Sequence, residues 1–144
     1  MEKRRKLEIK SEEDTRAFGL ELAAQCKPGT VIALIGDLGT GKTTLTKYIA
    51  EGLGIDRTIT SPTFTIVQEY REGRLPLFHF DVYRIENGDD LFEIGFDEYL
   101  YGNGVCVIEW ADQVLAYLPE QTLFIEISYG QEENGRIYDV HFND

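Results

Sequence analysis

The sequence predicts an α/β fold: a mixed β-sheet flanked by helices and extended by antiparallel hairpins. Three observations carry this reading. Val31 to Ile35 and Val105 to Ile108 are continuous apolar runs, as expected of strands buried on both faces. Between them, apolar residues recur at helical spacing, as in Leu45, Tyr48 and Ile49. Two pairs of strand-like runs, each split by a short turn-rich stretch, read as hairpins. The chain has 144 residues, 42% of them hydrophobic. That is enough for one domain, 1–144, to bury a core without disulfide or metal staples.

Taken in order, Leu7 to Lys10 reads as a short strand. Ser11 with Asp14 three residues on has capping-box spacing before a helix that places Phe18, Leu22 and Cys26 on one face. Pro28-Gly29 ends that unit, Val31 to Ile35 is a buried strand, and Thr43 to Glu51 is a helix stopped by Gly52 and Gly54. Phe64 to Tyr70 and Leu75 to Tyr83 flank Arg71-Glu72-Gly73-Arg74 as a hairpin, with Pro76 marking a sheet edge. Asp89 or Asp90 caps a helix running through Leu100, Val105 to Ile108 is a second buried strand, and Ala111 to Leu118 is a short helix ended by Pro119. Thr122 to Ser128 and Arg136 to Phe142 close the chain as a hairpin.

Composition excludes several classes of function. The longest apolar run is five residues, against the roughly 20 that a membrane span needs. Lys3 to Lys6 lack the apolar stretch that would make them the start of a signal peptide, and they read as a solvated basic tail. The expected location is cytoplasmic. Residues 1–84 carry 13 Lys+Arg and 12 Asp+Glu, whereas residues 85–144 carry Arg136 alone against 14 acids. That C-terminal part repels nucleic acid, so direct RNA or DNA contact through it is expected to be minor; it suits either a basic protein partner or a purely solubilising surface. Cys26 and Cys106 sit apart in apolar segments and read as inert thiols.

The chemistry starts at Gly36-Asp37-Leu38-Gly39-Thr40-Gly41-Lys42-Thr43, a full match to the phosphate-binding loop G-x-x-x-x-G-K-[ST] between a buried strand and a helix. Glycines let backbone N–H groups approach phosphate oxygens at the helix N-terminus. Lys42 supplies a charge for the outer phosphates, and the Thr43 hydroxyl is a Mg²⁺ ligand. The fold is therefore P-loop NTPase-like. Such a loop needs an acid for the metal or the attacking water. Glu109 ends an apolar strand, and Asp81 shares a strand face with His79 and Tyr83. That face looks either into the site or out to solvent as the polar side of an edge hairpin, the second being the expectation for His79. Ser61-Pro62-Thr63-Phe64 is either a nucleotide-sensing switch or an ordinary proline turn. Trp110 either guards the site or belongs to the core.

Gly36 to Thr44, Ser61-Pro62-Thr63-Phe64, Glu69-Tyr70, His79-x-Asp81-x-Tyr83-Arg84 and Ile108-Glu109-Trp110 together resemble the TsaE family, formerly YjeE. This bacterial ATPase family supports N6-threonylcarbamoyladenosine formation in tRNA. The blocks run in the family's order from about Leu34 to Asp112. The resemblance implies a monomeric subunit that binds ATP or ADP with Mg²⁺, hydrolyses ATP slowly, and works with TsaD-like and TsaB-like proteins. It implies that Asp37 to Thr44 bind nucleotide and that Lys42 and Thr43 hold phosphates and Mg²⁺. Thr63 would then belong to a switch loop, Asp81 and Glu109 would serve metal and water, and Trp110 would sit by the nucleotide. Ser11 to Thr15 are implied to lie near adenine. Ala111 departs from the proline that is common after the Trp in the family.

Two rival functions remain. A nucleotide-sensing module with negligible turnover would need only the binding half of this site. A small-molecule kinase would need an Arg-rich lid, and Arg136 is the one Arg after Arg84. No Asn-Lys-x-Asp tetrapeptide occurs, so ATP is expected in preference to GTP.

Overall fold

The computed structural model describes residues 4–37, 39–62, 66–83, 85, 88–133 and 135–142. Strands β1 (Arg4–Ile9), β2 (Val31–Gly36), β3 (Val67–Tyr70), β4 (Leu77–Asp81), β5 (Val105–Glu109), β6 (Leu123–Tyr129) and β7 (Arg136–Phe142) form one sheet in the order β1-β7-β6-β2-β5-β4-β3. Its centre is parallel, with β2 pairing both β5 and β6 and β4 pairing β5. The flanks are antiparallel: β1 with β7, β6 with β7, and β3 with β4.

Helices α1 (Glu12–Gln25) and α2 (Lys42–Gly52) cover one face, and the short helices α3 (Gly88–Glu93) and α4 (Phe96–Leu100) belong to the other. The core is accordingly split in two. Ile32, Leu34, Leu77, Val105 and Val107 pack with Phe18, Leu22, Leu45 and Ile49. Val31, Ala33, Phe78, Phe80, Cys106 and Ile108 pack with Leu91, Phe96 and Leu100. This alternation along β2, β4 and β5 is why those strands read as unbroken apolar runs.

Helix α1 starts as its sequence predicts. Asp14 N–H donates to Ser11 Oγ at 3.3 Å, and the Asp14 carboxylate returns to the Lys10 N–H at 2.9 Å. Helix α2 ends in a Schellman turn, with Ile55 N–H on Ala50 O, Gly54 N–H on Glu51 O, and Gly54 at φ +83°. Gly54 is therefore the stop, and Gly52 is still helical.

Several sequence expectations are corrected. Pro76 does not mark an edge: β4 lies between β5 and β3, and the Pro76 carbonyl accepts from Val105 N–H at 2.8 Å. Proline is tolerated because it precedes the strand and only its carbonyl is needed. The helix expected through Leu100 breaks at Gly95, whose φ of +73° starts α4 afresh. Ala111 to Leu118 forms two 3₁₀ turns, Ala111–Gln113 and Leu115–Tyr117, interrupted by Val114 at φ −130°. Leu115 and Tyr117 are exposed while Ala111 is buried, so no continuous apolar face holds an α-helix there. Residues 4–6 are not a tail. They belong to β1, where Arg4 pairs with Asp139 and Arg5 with Glu21. Cys26 and Cys106 are buried free thiols, and burial pushes them up to about 11 and about 12.

Helices α1 and α2 meet where Gly19 lies against Tyr48 and Ile49; a methyl group on Gly19 would come within 2.6 Å of Tyr48 Cβ and 3.1 Å of backbone. Ala in place of a helical Gly ordinarily gains about 1 kcal/mol. Here the backbone of α2 cannot yield as a flexible side chain would, and overpacking costs about 1–3 kcal/mol. Gly19→Ala is therefore expected to lower the urea midpoint, and an unchanged or raised midpoint would contradict this packing.

Candidate functional site

The loop after β2 runs straight into α2, so its backbone faces the open end of the sheet beside β5. Gly39 and Gly41 take φ of +83° and +99°, values that favour glycine. A Cβ on Gly41 would meet nothing within 4 Å, so its backbone is open to an incoming group. Gly36 is glycine for a different reason: a Cβ there would come within 2.7 Å of Ile127 O and 2.8 Å of Thr40 Oγ1.

The loop is held by its own polar groups. The Asp37 carbonyl accepts from Thr40 Oγ1 at 2.7 Å, from Thr40 N–H at 3.2 Å and from Lys42 Nζ at 3.0 Å. Lys42 Nζ also donates to Gly36 O at 2.5 Å and lies 4.1 Å from the centre of the Trp110 ring. Lys42 is buried, and desolvation lowers its pKa against the opposing pull of Glu109, Asp81, Asp37 and Asp112. Thr44 follows in the first turn of α2, half-buried.

The acids come from neighbouring strands. Register pairs Asp81 of β4 with Glu109 of β5, so both carboxylates end parallel strands at the mouth of the loop. Glu109 is buried and accepts from Thr43 Oγ1 at 2.9 and 3.1 Å, which ties β5 to the start of α2. Asp81 is half-buried, accepting from Ser61 Oγ at 3.0 Å and Tyr83 N–H at 3.1 Å. Trp110 follows at φ +62°, a left-handed conformation unusual for a bulky residue, with its ring centre 4.7 Å from that of Tyr83. The structure thus brings together Asp37, Gly39, Thr40, Gly41, Lys42, Thr43, Asp81, Glu109 and Trp110. Leu38 and Thr63 lie outside the described residues, as do Phe64 and Arg84 of the motif blocks.

His79 corrects the expectation of an outward strand face. It is fully buried, with Nε2 2.6 Å from Glu109 Oε2. The face of β4 shared by His79 and Asp81 is the one on which Leu77 packs into the core with Leu45 and Ile49 of α2. Sequence reasoning also gave no role to Arg136, whose guanidinium donates to Thr40 O at 3.2 Å and Gly39 O at 3.4 Å while lying over the Tyr129 ring. Register with Ile9 makes Arg136 the link between the end of β1 and the phosphate loop. Its isolation in an otherwise acidic half was the only signal in the sequence.

A phosphate loop leaving a central parallel strand, faced by a buried acid at the end of the next strand, defines a phosphate-loop α/β protein. The family model for threonylcarbamoyl adenosine biosynthesis protein TsaE matches residues 9–137. The tRNA threonylcarbamoyladenosine biosynthesis protein TsaE of Bacillus subtilis is 50% identical over 125 residues, 87% of this chain and 78% of that protein. Its counterpart in Treponema pallidum is 44% identical over 128 residues, 89% and 94% of the two chains. The crystal structure of Bacillus subtilis YdiB matches with a TM-score of 0.85 at 42% identity, covering 100% of this chain and 88% of that one. The chain belongs to the TsaE family.

Arg136→Ala is expected to loosen the phosphate loop while leaving the fold intact. Charged hydrogen bonds contribute about 1.5–3 kcal/mol when buried. Partial exposure reduces this to about 1 kcal/mol, or roughly fivefold more frequent local opening. Amide hydrogen exchange over residues 36–44 measures it, and wild-type protection would contradict the assignment.

Proposed function

We propose that this chain binds ATP with Mg²⁺ at the phosphate loop, hydrolyses it slowly to ADP and phosphate, and serves threonylcarbamoyladenosine formation in tRNA. The observation that carries this reading is the Thr43–Glu109 hydrogen bond. It brings a hydroxyl and a carboxylate, both hard oxygen ligands suited to Mg²⁺, to the N-terminus of α2. The open glycine backbone at Gly41 and the adjacent Lys42 ammonium fit the phosphates. Among the described residues no group of three or more His, Cys, Asp or Glu is arranged to hold a metal. Mg²⁺ suits such a site, because it takes one or two protein ligands and completes its shell with phosphates and water.

In this reading Lys42 exchanges its Gly36 and Asp37 carbonyl partners for phosphate oxygens. Thr43 and Glu109, with Asp81 beside them, would hold Mg²⁺ and orient the attacking water, and the chemistry such a metal would supply is neutralisation of charge on the transferred phosphoryl group. The loop backbone from Asp37 to Thr44 cradles the phosphates, Trp110 lies against the nucleotide, and Leu38 and Thr63 contribute from their segments. The Ser61 hydroxyl on Asp81 ties that acid to the segment leading to Thr63.

The proposed partners are TsaD-like and TsaB-like proteins, met by a chain that is monomeric alone and works in the cytoplasm. No helix among the described residues is long and apolar enough to cross a membrane. The acidic residues 85–144 favour a basic protein surface over tRNA. Ion pairing of Arg4 and Arg5 within the fold also argues for minor tRNA contact. A kinase lid is disfavoured because Arg136 is engaged on the loop's own carbonyls.

Steady-state phosphate release from Mg-ATP, alone and with TsaB-type and TsaD-type proteins added, tests the reading. Release is expected to rise on addition. Lys42→Ala is expected to weaken ATP binding by roughly 10- to 100-fold, the worth of charge-assisted phosphate contacts. Glu109→Gln is expected to bind ATP while losing on the order of 10²-fold in turnover. Partner-dependent function that survived Glu109→Gln would point instead to a nucleotide-sensing module.

A further inference from the structure

His79 holds the one buried side-chain nitrogen or oxygen among the described residues that lacks a partner, its Nδ1. Its other nitrogen lies 2.6 Å from Glu109 Oε2, with His79 at 0% and Glu109 at 4% side-chain exposure. A carboxylate oxygen accepts, so in this pair the hydrogen bond runs from Nε2 to Oε2. Packing alone does not account for a histidine here. An apolar side chain of similar volume would avoid both the orphaned Nδ1 and the desolvation of a polar pair. What such a side chain would not supply is a fixed donor to Glu109.

That donor determines how the carboxylate points. Thr43 Oγ1 is near both oxygens, 2.9 Å from Oε2 and 3.1 Å from Oε1, so the hydroxyl does not discriminate between them. His79 reaches Oε2 alone. The donor is itself rigid, because it stands on inner strand β4, paired on both sides, with His79 in register with Val107 of β5. We infer that His79 is the positioning residue for Glu109, holding Oε2 so that the carboxylate stays turned toward the Thr43 hydroxyl at the start of α2. This inference rests on the ATPase reading above, with Glu109 serving Mg²⁺ or water. Orientation of a ligating carboxylate from behind sets metal affinity and turnover more than nucleotide affinity.

The test compares wild type with His79→Leu, His79→Gln and His79→Asn. In the protein without nucleotide, proton NMR is expected to show one slowly exchanging imidazole N–H resonance downfield of the amides. It should be absent from His79→Leu and shifted in Glu109→Gln. In Mg-ATP turnover with the partner proteins, His79→Leu is expected to lose about tenfold or more in kcat and to need about tenfold more Mg²⁺ for half-saturation. Its KM for ATP and its ADP affinity should stay within about threefold of wild type.

Gln carries an amide N–H near the place of Nε2 and is expected to recover most of the loss. Asn carries it near Nδ1 and is expected not to. A resonance indifferent to Glu109→Gln would overturn the inference, as would folded His79→Leu with wild-type kcat and Mg²⁺ dependence, or equal losses for Gln and Asn. Should His79→Leu fail to fold, the contrast between Gln and Asn decides. Wild type without turnover even in the presence of its partners would defeat the ATPase reading alone. The resonance, and the Mg²⁺ dependence of nucleotide binding across the same variants, would still judge His79.

Discussion

The site depends on burying one carboxylate, that of Glu109, where two different elements can hydrogen-bond it. A buried charge without hydrogen bonds costs far more than a small domain can spare. Glu109 meets this cost with two donors from different elements, the Thr43 hydroxyl on α2 and the His79 imidazole on β4. For both to reach it, β5 must lie between β2, which feeds the loop into α2, and β4. That is the observed sheet order. The parallel pairing of these three strands therefore does more than fill a core. It brings groups 30 and 66 residues from Glu109 to within hydrogen-bonding distance.

The surrounding architecture keeps that arrangement stiff. Apolar side chains alternate to both faces of the inner strands, so a slip of β5 by one residue would exchange one core for the other. Close contact of α1 with α2 at Gly19 fixes α2, and with it the N-terminus carrying Lys42 and Thr43. From the opposite side of the loop, Arg136 on β7 reaches the Gly39 and Thr40 carbonyls. The terminal hairpin, which contributes nothing to the phosphate motif, thus helps to shape the loop.

Local physics made much of this legible in the sequence. Burial on two faces demands unbroken apolar runs, so β2 and β5 were plain, and the phosphate loop declared itself because its glycines, Lys42 and Thr43 are adjacent in the chain. Glu109 was legible as an acid ending such a run. His79 was not. Alternation correctly puts it on one face with Asp81, but whether that face is wet or buried depends on whether β4 is an edge, and Pro76 pointed the wrong way. Arg136 was opaque for a related reason, since its partners lie 96 and 97 residues away and no periodicity links them. Gly95 and Val114 interrupt helices through backbone dihedrals that apolar spacing does not report.

The described part of the loop is held by its own carbonyls and by Arg136, and this bears on the nucleotide binding proposed above. Lys42 sits buried over Trp110 with its ammonium on two loop carbonyls, and desolvation lowers its pKa. An incoming phosphate must compete with those carbonyls, so part of its attraction is spent on exchange. A phosphate oxygen bears more charge than an amide carbonyl, so under the proposed reading the exchange would favour the nucleotide and also relieve the desolvated ammonium. Competition from those carbonyls would favour reversible binding over very tight capture.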